Sequence, residues 1–305
     1  MLPQEPIGHV PVLPDAVAKL VGPQPGEIVV DATVGLAGHA KLFAEAIGPT
    51  GTLIGVDVDP ANLAEAKRRL ADVPCRVRLI RGNFALLPEL LGSVGVEKVD
   101  VIFADLGVSS AQLDQAERGF SFQREGPLDM RMDPDLRVTA AEFVNRLKER
   151  ELGELLYRNS QEPASRAIAR SICEARRDAR ITSTKRLADV VADAVHVNPE
   201  SRKSKIHPAT RVFLALRMAV NDELNSLNAL LESAPGLLKP GGRLGIIAFH
   251  SLEDKPVKLD FRRRKKENIY RLVTNKPVVA DEEERRRNPR SRSAKLRVAI
   301  RLLAD

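Results

Sequence analysis

A chain of 305 residues, 43% hydrophobic and 29% charged, is long enough for one large soluble domain or two. It has no apolar run of about 18 residues, which excludes a membrane-spanning helix. Its two cysteines, Cys75 and Cys173, are too few for a disulfide framework and lack metal-ligand spacing, so no metal site is expected. The net charge of +7 admits a nucleic-acid partner without requiring one.

The opening residues, MLPQEPIGHVPVLP, carry neither a basic nor an apolar leader segment, and the expectation is a cytoplasmic, reduced protein. Strands then alternate with helices. GEIVVDAT from Gly26 reads as a buried strand, Gly38–Ile47 as a helix, GTLIGVDVD from Gly51 as a second strand, and Pro60–Ala71 as a helix opened by its proline. CRVRLIRG from Cys75 is a third strand, Asn83–Leu91 a helix carrying Pro88, and VDVIFAD, ending at Asp105, a fourth strand. Such alternation predicts an α/β fold with a doubly wound, mostly parallel sheet covered on both faces.

Regularity breaks after Asp105. The stretch to Asp133 has no helical or strand period and is dense in Gly, Asp, Arg and Ser. A long aperiodic segment after a core strand is usually functional or disordered, and Phe120, Phe122, Leu128, Met130 and Met132 supply anchors against disorder. From about Thr139 to about Val195 the period is helical throughout. A long helix comes next over Ala209–Leu231, then a turn at Lys239–Gly242, the strand GGRLGIIAFH, a short helix, and a last strand, AKLRVAIRLL. The chain therefore reads as one α/β domain, 1–110 and 208–305, interrupted by an inserted all-α domain over 111–207. The ligand crevice of an open α/β sheet lies beyond the carboxyl ends of its strands, so an insert after the fourth strand can cover it.

The turn after the first strand holds Gly35 and Gly38, where backbone can approach a ligand closely and open a helix. Roughly 20 residues on, Asp57 ends the second strand, where a carboxylate can hold both hydroxyls of a ribose. There is no Gly-x-Gly-x-x-Gly triplet for a pyrophosphate and no Gly-Lys-Ser/Thr loop for phosphoryl transfer. A ligand with a ribose but no pyrophosphate fits better, and S-adenosylmethionine is the commonest. Its positive sulfonium suits the acidic strand ends at Asp31 and Asp105. Asp31 reads equally as a turn residue, and Phe84 either meets an adenine or packs in the core.

Long segments now combine: His9-Val-Pro-Val-Leu, Gly35–His39, DLGVSSAQLD from Asp105, ERGFSFQREGPLDMRMD from Glu117, HPATRVFLALRMAVNDEL from His207, GGRLGIIAFHSLED from Gly241, and NPRSRSAKLR from Asn288. In this order, over nearly the whole chain, they resemble the ribosomal RNA small subunit methyltransferase H family. The resemblance implies a Rossmann-like class I methyltransferase that transfers a methyl group from S-adenosylmethionine to N4 of a cytidine in the decoding region of 16S rRNA. It carries cofactor contacts onto Ala37, Gly38, His39, Asp57, Phe84, Asp105 and Gln112. It implies small-subunit rRNA as partner, within the assembled small subunit, no membrane partner, and leaves a homodimer open. One departure is visible: the family has Gly-x-Gly-Gly-His where this chain has Gly35-Leu36-Ala37-Gly38-His39. If position 37 adopts positive φ, alanine costs roughly 1 kcal/mol there.

An exocyclic N4 lone pair is delocalised into the pyrimidine, so an acceptor for its N–H would favour attack on the methyl group. Asp105 is the candidate by sequence. Methylation at C5 would instead need a cysteine nucleophile at the active turn, and neither Cys75 nor Cys173 is placed for it. His250 either faces the substrate or is structural, and His207 reads as a helix-cap residue. Candidates for phosphate contact are Arg124, Arg131 and three basic runs, Arg262–Lys266, Arg285–Arg287 and the stretch from Asn288. Phe120 and Phe122 either stack on a base or anchor their loop. Two other functions stand beside this one: a methyltransferase for another acceptor, and a non-enzymatic RNA-binding ribosome assembly factor.

Overall fold

The computed structural model describes residues 10–195 and 207–303. His9 of the first motif and most of the opening segment lie outside them. The chain divides into two compact units, Met1–Gly107 with Leu224–Asp305, and Val108–Glu223.

The first unit begins with α1 (Pro14–Leu20), β1 (Ile28–Asp31), α2 (Gly38–Ile47), β2 (Thr52–Asp57), α3 (Pro60–Arg69), β3 (Arg76–Arg81), α4 (Leu87–Ser93) and β4 (Val99–Asp105). The helix expected over Asn83–Leu91 is two pieces, a 3-10 turn at Phe84–Leu86 and then α4. Asn83 folds its own side chain onto the Ala85 N–H at 2.9 Å. Pro88, which lacks an N–H, fits only in the first turn of α4.

The second unit holds α5 (Ser110–Asp114), α6 (Ala140–Arg146), α7 (Glu149–Ser160), α8 (Ser165–Asp178), α9 (Thr184–Ala194) and α10 (Ala209–Val220). The chain then returns through α11 (Glu223–Leu237), β5 (Leu238–Ala248), α12 (Ser251–Lys266), β6 (Tyr270–Leu272), β7 (Val278–Val279), α13 (Glu282–Arg287) and β8 (Lys295–Arg301). The eight strands form one sheet in the order β3-β2-β1-β4-β5-β8-β6, with β7 also on β8. β1 to β5 run parallel and β8 antiparallel to its neighbours.

Side chains alternate across the sheet with the period of two that strands impose. Val29, Leu53, Val101 and Phe103 pack on one face with Phe43 and Ile47 of α2. Val30, Ile54, Ile102 and Ile246 pack on the other with Leu87, Leu91, Leu227 and Leu230. Both faces are covered, as apolar strand runs require. β3 is the edge strand and is blunted by Arg76, Arg78 and Arg81.

Two further expected elements and one unit boundary differ in the structure. The single helix over Ala209–Leu231 is two helices, α10 and α11, because Asp222 turns into left-handed backbone at φ 49°. Asn221 holds that break by donating to Met130 O and Arg217 O, each at 2.8 Å, and accepting from Met132 N at 2.7 Å. Consequently α10 belongs to the helical unit, which ends at Glu223 rather than 207, since Val212, Phe213 and Leu216 lie in the same core as Leu152, Leu156 and Ile168. The short helix after β5 is the 16-residue α12. Its inner face, Val257, Asp260, Phe261 and Arg264, uses a buried ion pair where apolar residues would have announced the period.

The aperiodic stretch after Asp105 is ordered by polar contacts. Within it, α5 is opened by a capping box between Ser109 and Gln112. Arg131 grips Asp129 through two nitrogens and donates to Pro134 O and Leu136 O. Arg118 donates to Arg131 O and Met132 O. Phe120, Leu128 and Met130 are buried in the helical core, and Phe122 stacks near His207 and Phe213. Both phenylalanines therefore anchor the loop.

Gly126 shows how tightly this loop is closed. It exchanges hydrogen bonds with Thr184, and a Cβ there would lie 1.9 Å from Ala116 O. Gly126→Ala should destabilise the helical unit by about 2 kcal/mol, read as a lower urea midpoint and faster hydrogen exchange in α9.

Candidate active site

The carboxyl ends of the parallel strands bring together Asp31, Asp57 and Asp105, from β1, β2 and β4. The register fixes this: Asp31 pairs with Gly55 and Phe103, and Asp105 with Ile247. Backbone bonds stitch the ends together beyond the ladder. Ala32 N–H donates to Phe103 O at 2.8 Å, Val34 N–H to Val56 O at 2.9 Å, and Asp105 N–H to Thr33 Oγ1 at 2.7 Å.

Asp57 fastens the glycine turn. One carboxylate oxygen accepts Gly35 N–H at 2.9 Å and Asn62 Nδ2 at 3.2 Å, and the other accepts Asp59 N–H at 2.8 Å. A carboxylate has about four lone-pair positions, so the half-buried Asp57 keeps capacity for ribose hydroxyls. The turn leads into α2, whose N-cap, Ala37, contributes no side-chain bond. The first turn of this ten-residue helix thus has no side-chain cap from its N-cap residue, at the end whose dipole favours an anion.

Ala37 sits at φ 62°, ψ 27°, in the left-handed region, with its methyl group buried. The strain that glycine would avoid is therefore present in this chain.

His39, on the first turn of α2, is buried against Phe103 with ring centroids 4.8 Å apart. Its Nε2 lies 3.7 Å from Asp105 Oδ2. Asp105 Oδ1 is buried and has no hydrogen-bond partner among the described residues. Phe84 is half-buried beside Leu87, and Asn83 donates to Ser226 Oγ at 3.1 Å. Gln112 belongs to the other unit, where its side chain accepts Ser109 N–H at 3.0 Å and is buried.

Burial makes these carboxyls reluctant to ionise. It raises Asp31 to about 7, against the Thr33 N–H bond, and the charge of Asp57 adds to the rise. Burial likewise raises Asp57 to about 6, opposed by its bonds to Asp59, Gly35 and Asn62. Asp105 is pushed well above the usual carboxylate range by burial, then by the charges of Asp31 and Glu253. Its side chain keeps 24% of its surface exposed, and solvent there tempers the rise.

Sequence reasoning missed Thr33, Asn62 and Glu253. Glu253 had a signal in its position three residues after His250. It is 2% exposed and close enough to charge Asp105. Thr33 and Asn62 had none, since each acts through a bond to a strand-end backbone or carboxylate.

Several candidates for phosphate contact are occupied internally. Arg131 organises its loop, and Arg264 is buried against Asp260. Arg263 pairs with Asp260, Arg287 with Glu283, and Arg297 with Asp254. Cys75 precedes β3, at the amino end of the sheet, and Cys173 lies on α8 in the helical unit. Neither stands at the strand carboxyl ends. No helix of the described residues is long and apolar enough to cross a membrane.

Comparison with known proteins agrees with this arrangement. The profile of the MraW methylase family matches residues 6–302. The ribosomal RNA small subunit methyltransferase H of Geobacter sulfurreducens is 47% identical, over 96% of this chain and 99% of that protein. The protein of the same name from Syntrophobacter fumaroxidans is 46% identical, over 97% of each, and that from Acidobacterium capsulatum is 46% identical, over 95% and 97%. The chain belongs to the MraW methylase family.

The geometry leads to two expected outcomes. Ala37→Val should cost about 2 kcal/mol, because a β-branched side chain resists left-handed backbone. Ala37→Gly should change stability by less than about 1 kcal/mol, relief of strain being offset by loss of a buried methyl. Urea midpoints of the two variants test this. For Asp31, the folded value of about 7 lies above the ordinary 3.8. Its contribution to stability is therefore full below pH 3.8 and is lost as pH rises through about 7. Without S-adenosylmethionine, Asp31→Asn should gain on the wild type between pH 5 and pH 8, by roughly 2–4 kcal/mol, measured as the difference between their urea-unfolding free energies.

Proposed function

We infer that this protein methylates N4 of a cytidine in the decoding region of small-subunit rRNA, with S-adenosylmethionine as methyl donor. The observation that carries the reading is the set of strand-end carboxyls, the buried Asp31 and the half-buried Asp57 and Asp105, beside the N-terminus of α2, which no side chain of its N-cap residue caps. These groups fit the donor. Its sulfonium and amino cations suit carboxyls that lack counter-charges, its carboxylate suits the α2 amides, and its ribose suits Asp57. Family membership and the similarity to rRNA methyltransferases support rRNA as the acceptor.

When bound, S-adenosylmethionine supplies an electrophilic methyl group on a positive sulfur. The protein's own residues align, shield and neutralise. Asp57 holds the Gly35 turn and the ribose together. Ala37 and Gly38 offer backbone at the helix start, and His39 backs Asp105 against the aromatic pair Phe43 and Phe103. Phe84 borders the crevice on the β3 side. For Gln112 the assignment rests on resemblance alone. Rate comes mainly from alignment in a shielded pocket. The helical unit, Val108–Glu223, is assigned to recognising the rRNA, presented within the assembled small subunit in the cytoplasm, with the target base unstacked for reaction.

Incubation with labelled donor and small subunits lacking the modification should label rRNA, and nuclease digestion should release N4-methylcytidine. Label in protein or in small molecules would favour another acceptor. Binding should also respond to pH. A cationic ligand lowers the raised Asp31 and Asp57, so affinity should climb as pH rises through about 6 to 7, with proton release. Calorimetry in buffers of different ionisation enthalpy measures this. Asp57→Ala should weaken donor binding about 10- to 100-fold.

A further inference from the structure

Methylation of an amine leaves a proton to be removed. The new N–C bond forms as the C–S bond breaks, with the electron pair staying on sulfur, and the nitrogen must then give up one N–H proton. Asp105 is poorly suited to take it, since burial and two neighbouring carboxylates favour its protonated form. The end of the adjacent strand offers another group.

His250 lies two residues past β5, at the N-cap of α12, in extended backbone at φ −141°. Its side chain makes no cap bond to the helix. Its Nε2 stands 3.0 Å from Glu253 Oε1, and the other Glu253 oxygen accepts Phe249 N–H at 2.8 Å. Glu253 is thus held by backbone at one oxygen, meets His250 with the other, and is almost fully buried at the favourable N-terminal end of a 16-residue helix. Burying a carboxylate is costly unless it is paired. Both ring nitrogens of His250 are buried, and neither makes an aligned hydrogen bond among the described residues; Nε2 meets Glu253 as a close charge contact and Nδ1 has no such neighbour. Both residues belong to the strand end beside Asp105: Asp105 pairs with Ile247, and Leu106 N–H donates to Ile247 O.

We propose that His250 accepts the proton released from the N4 amine, at Nδ1, and that Glu253 is its positioning residue, holding Nε2. This rests on the function proposed above. A neutral imidazole whose Nε2–H is turned toward the nearby Glu253 carboxylate keeps its lone pair on Nδ1. On accepting the proton it becomes an imidazolium beside a carboxylate, and the N4-methylamine leaves neutral. The same division of labour, a carboxylate orienting a histidine base, recurs in unrelated enzymes. The charged groups on neighbouring elements are accounted for. Asp254 of α12 is engaged by Arg297 and Lys295 of β8, and Asp105 of β4 faces the site. Glu253 is therefore the carboxylate in direct contact with the His250 ring.

The test combines kinetics with a ring spectrum that needs no donor. In single-turnover methylation of unmodified small subunits, His250→Gln and His250→Asn should lose at least about 100-fold in rate, with donor affinity by calorimetry within about threefold. The wild-type rate should fall below one apparent pKa, and the variants should lack that limb. Glu253→Gln, which keeps an acceptor for Phe249 N–H, should slow the reaction about tenfold with donor affinity unchanged. Nitrogen NMR of the His250 ring, without donor, should show the Nε2-protonated tautomer in the wild type and a mixture of tautomers in Glu253→Gln. Histidine variants that keep the wild-type rate, or that slow with an unaltered pH profile, would overturn the assignment. So would a His250 ring tautomer indifferent to Glu253→Gln. If the wild type leaves N4 unmethylated, the functional reading itself fails, and the acceptor role falls with it.

Discussion

Three carboxyls are forced together at one edge of a parallel sheet, and the rest of the structure answers to that constraint. Asp31, Asp57 and Asp105 terminate β1, β2 and β4, which lie side by side. The ladder leaves their backbones only one arrangement, so their charges cannot spread apart. Like charges in a poorly solvated place oppose folding. The structure offsets this with backbone N–H groups: Thr33 N–H on Asp31, and Gly35 and Asp59 N–H on Asp57. What is left over is a crevice that favours a positive ligand.

That constraint explains the strain at Ala37. The chain must leave β1, pass Asp57 closely enough for Gly35 to be bonded, and enter α2 within a few residues. Left-handed steps at Gly35 and Ala37 make the corner. Alanine tolerates its step because its small methyl fits the core against which α2 packs. The helical unit meets a different demand. Its long loop has little secondary structure to satisfy its backbone, so Arg118, Arg131 and Asn221 supply donors and acceptors instead. Cationic side chains that look available for phosphate in a sequence are spent on holding that loop.

Much of the α/β architecture was legible because its strands are apolar runs punctuated by turns. Helix α2 falls on Gly38–Ile47 and β4 on Val99–Asp105, as read from the pattern. The residues at the strand ends were legible too, since acidic groups after apolar strands stand out. Illegible elements share a cause. The break between α10 and α11 depends on Asn221 bonding to residues some ninety positions away. The length of α12 depends on Arg264 being buried with Asp260, an apolar face built from charges. The short strands β6 and β7 exist only because β8 is there to pair with them.

The sequence by itself determined the order of strands and helices, the position of the glycine turn and the acidic strand ends, because these arise from local periodicity and composition. Tertiary structure alone decided which charges meet. It joined Asp57 to Gly35, set His39 beside Asp105, and drew Arg243 onto Glu27 and Arg297 onto Asp254. The reason is physical: a side chain's burial and electrostatic partners depend on elements distant in the chain, and no local pattern records them.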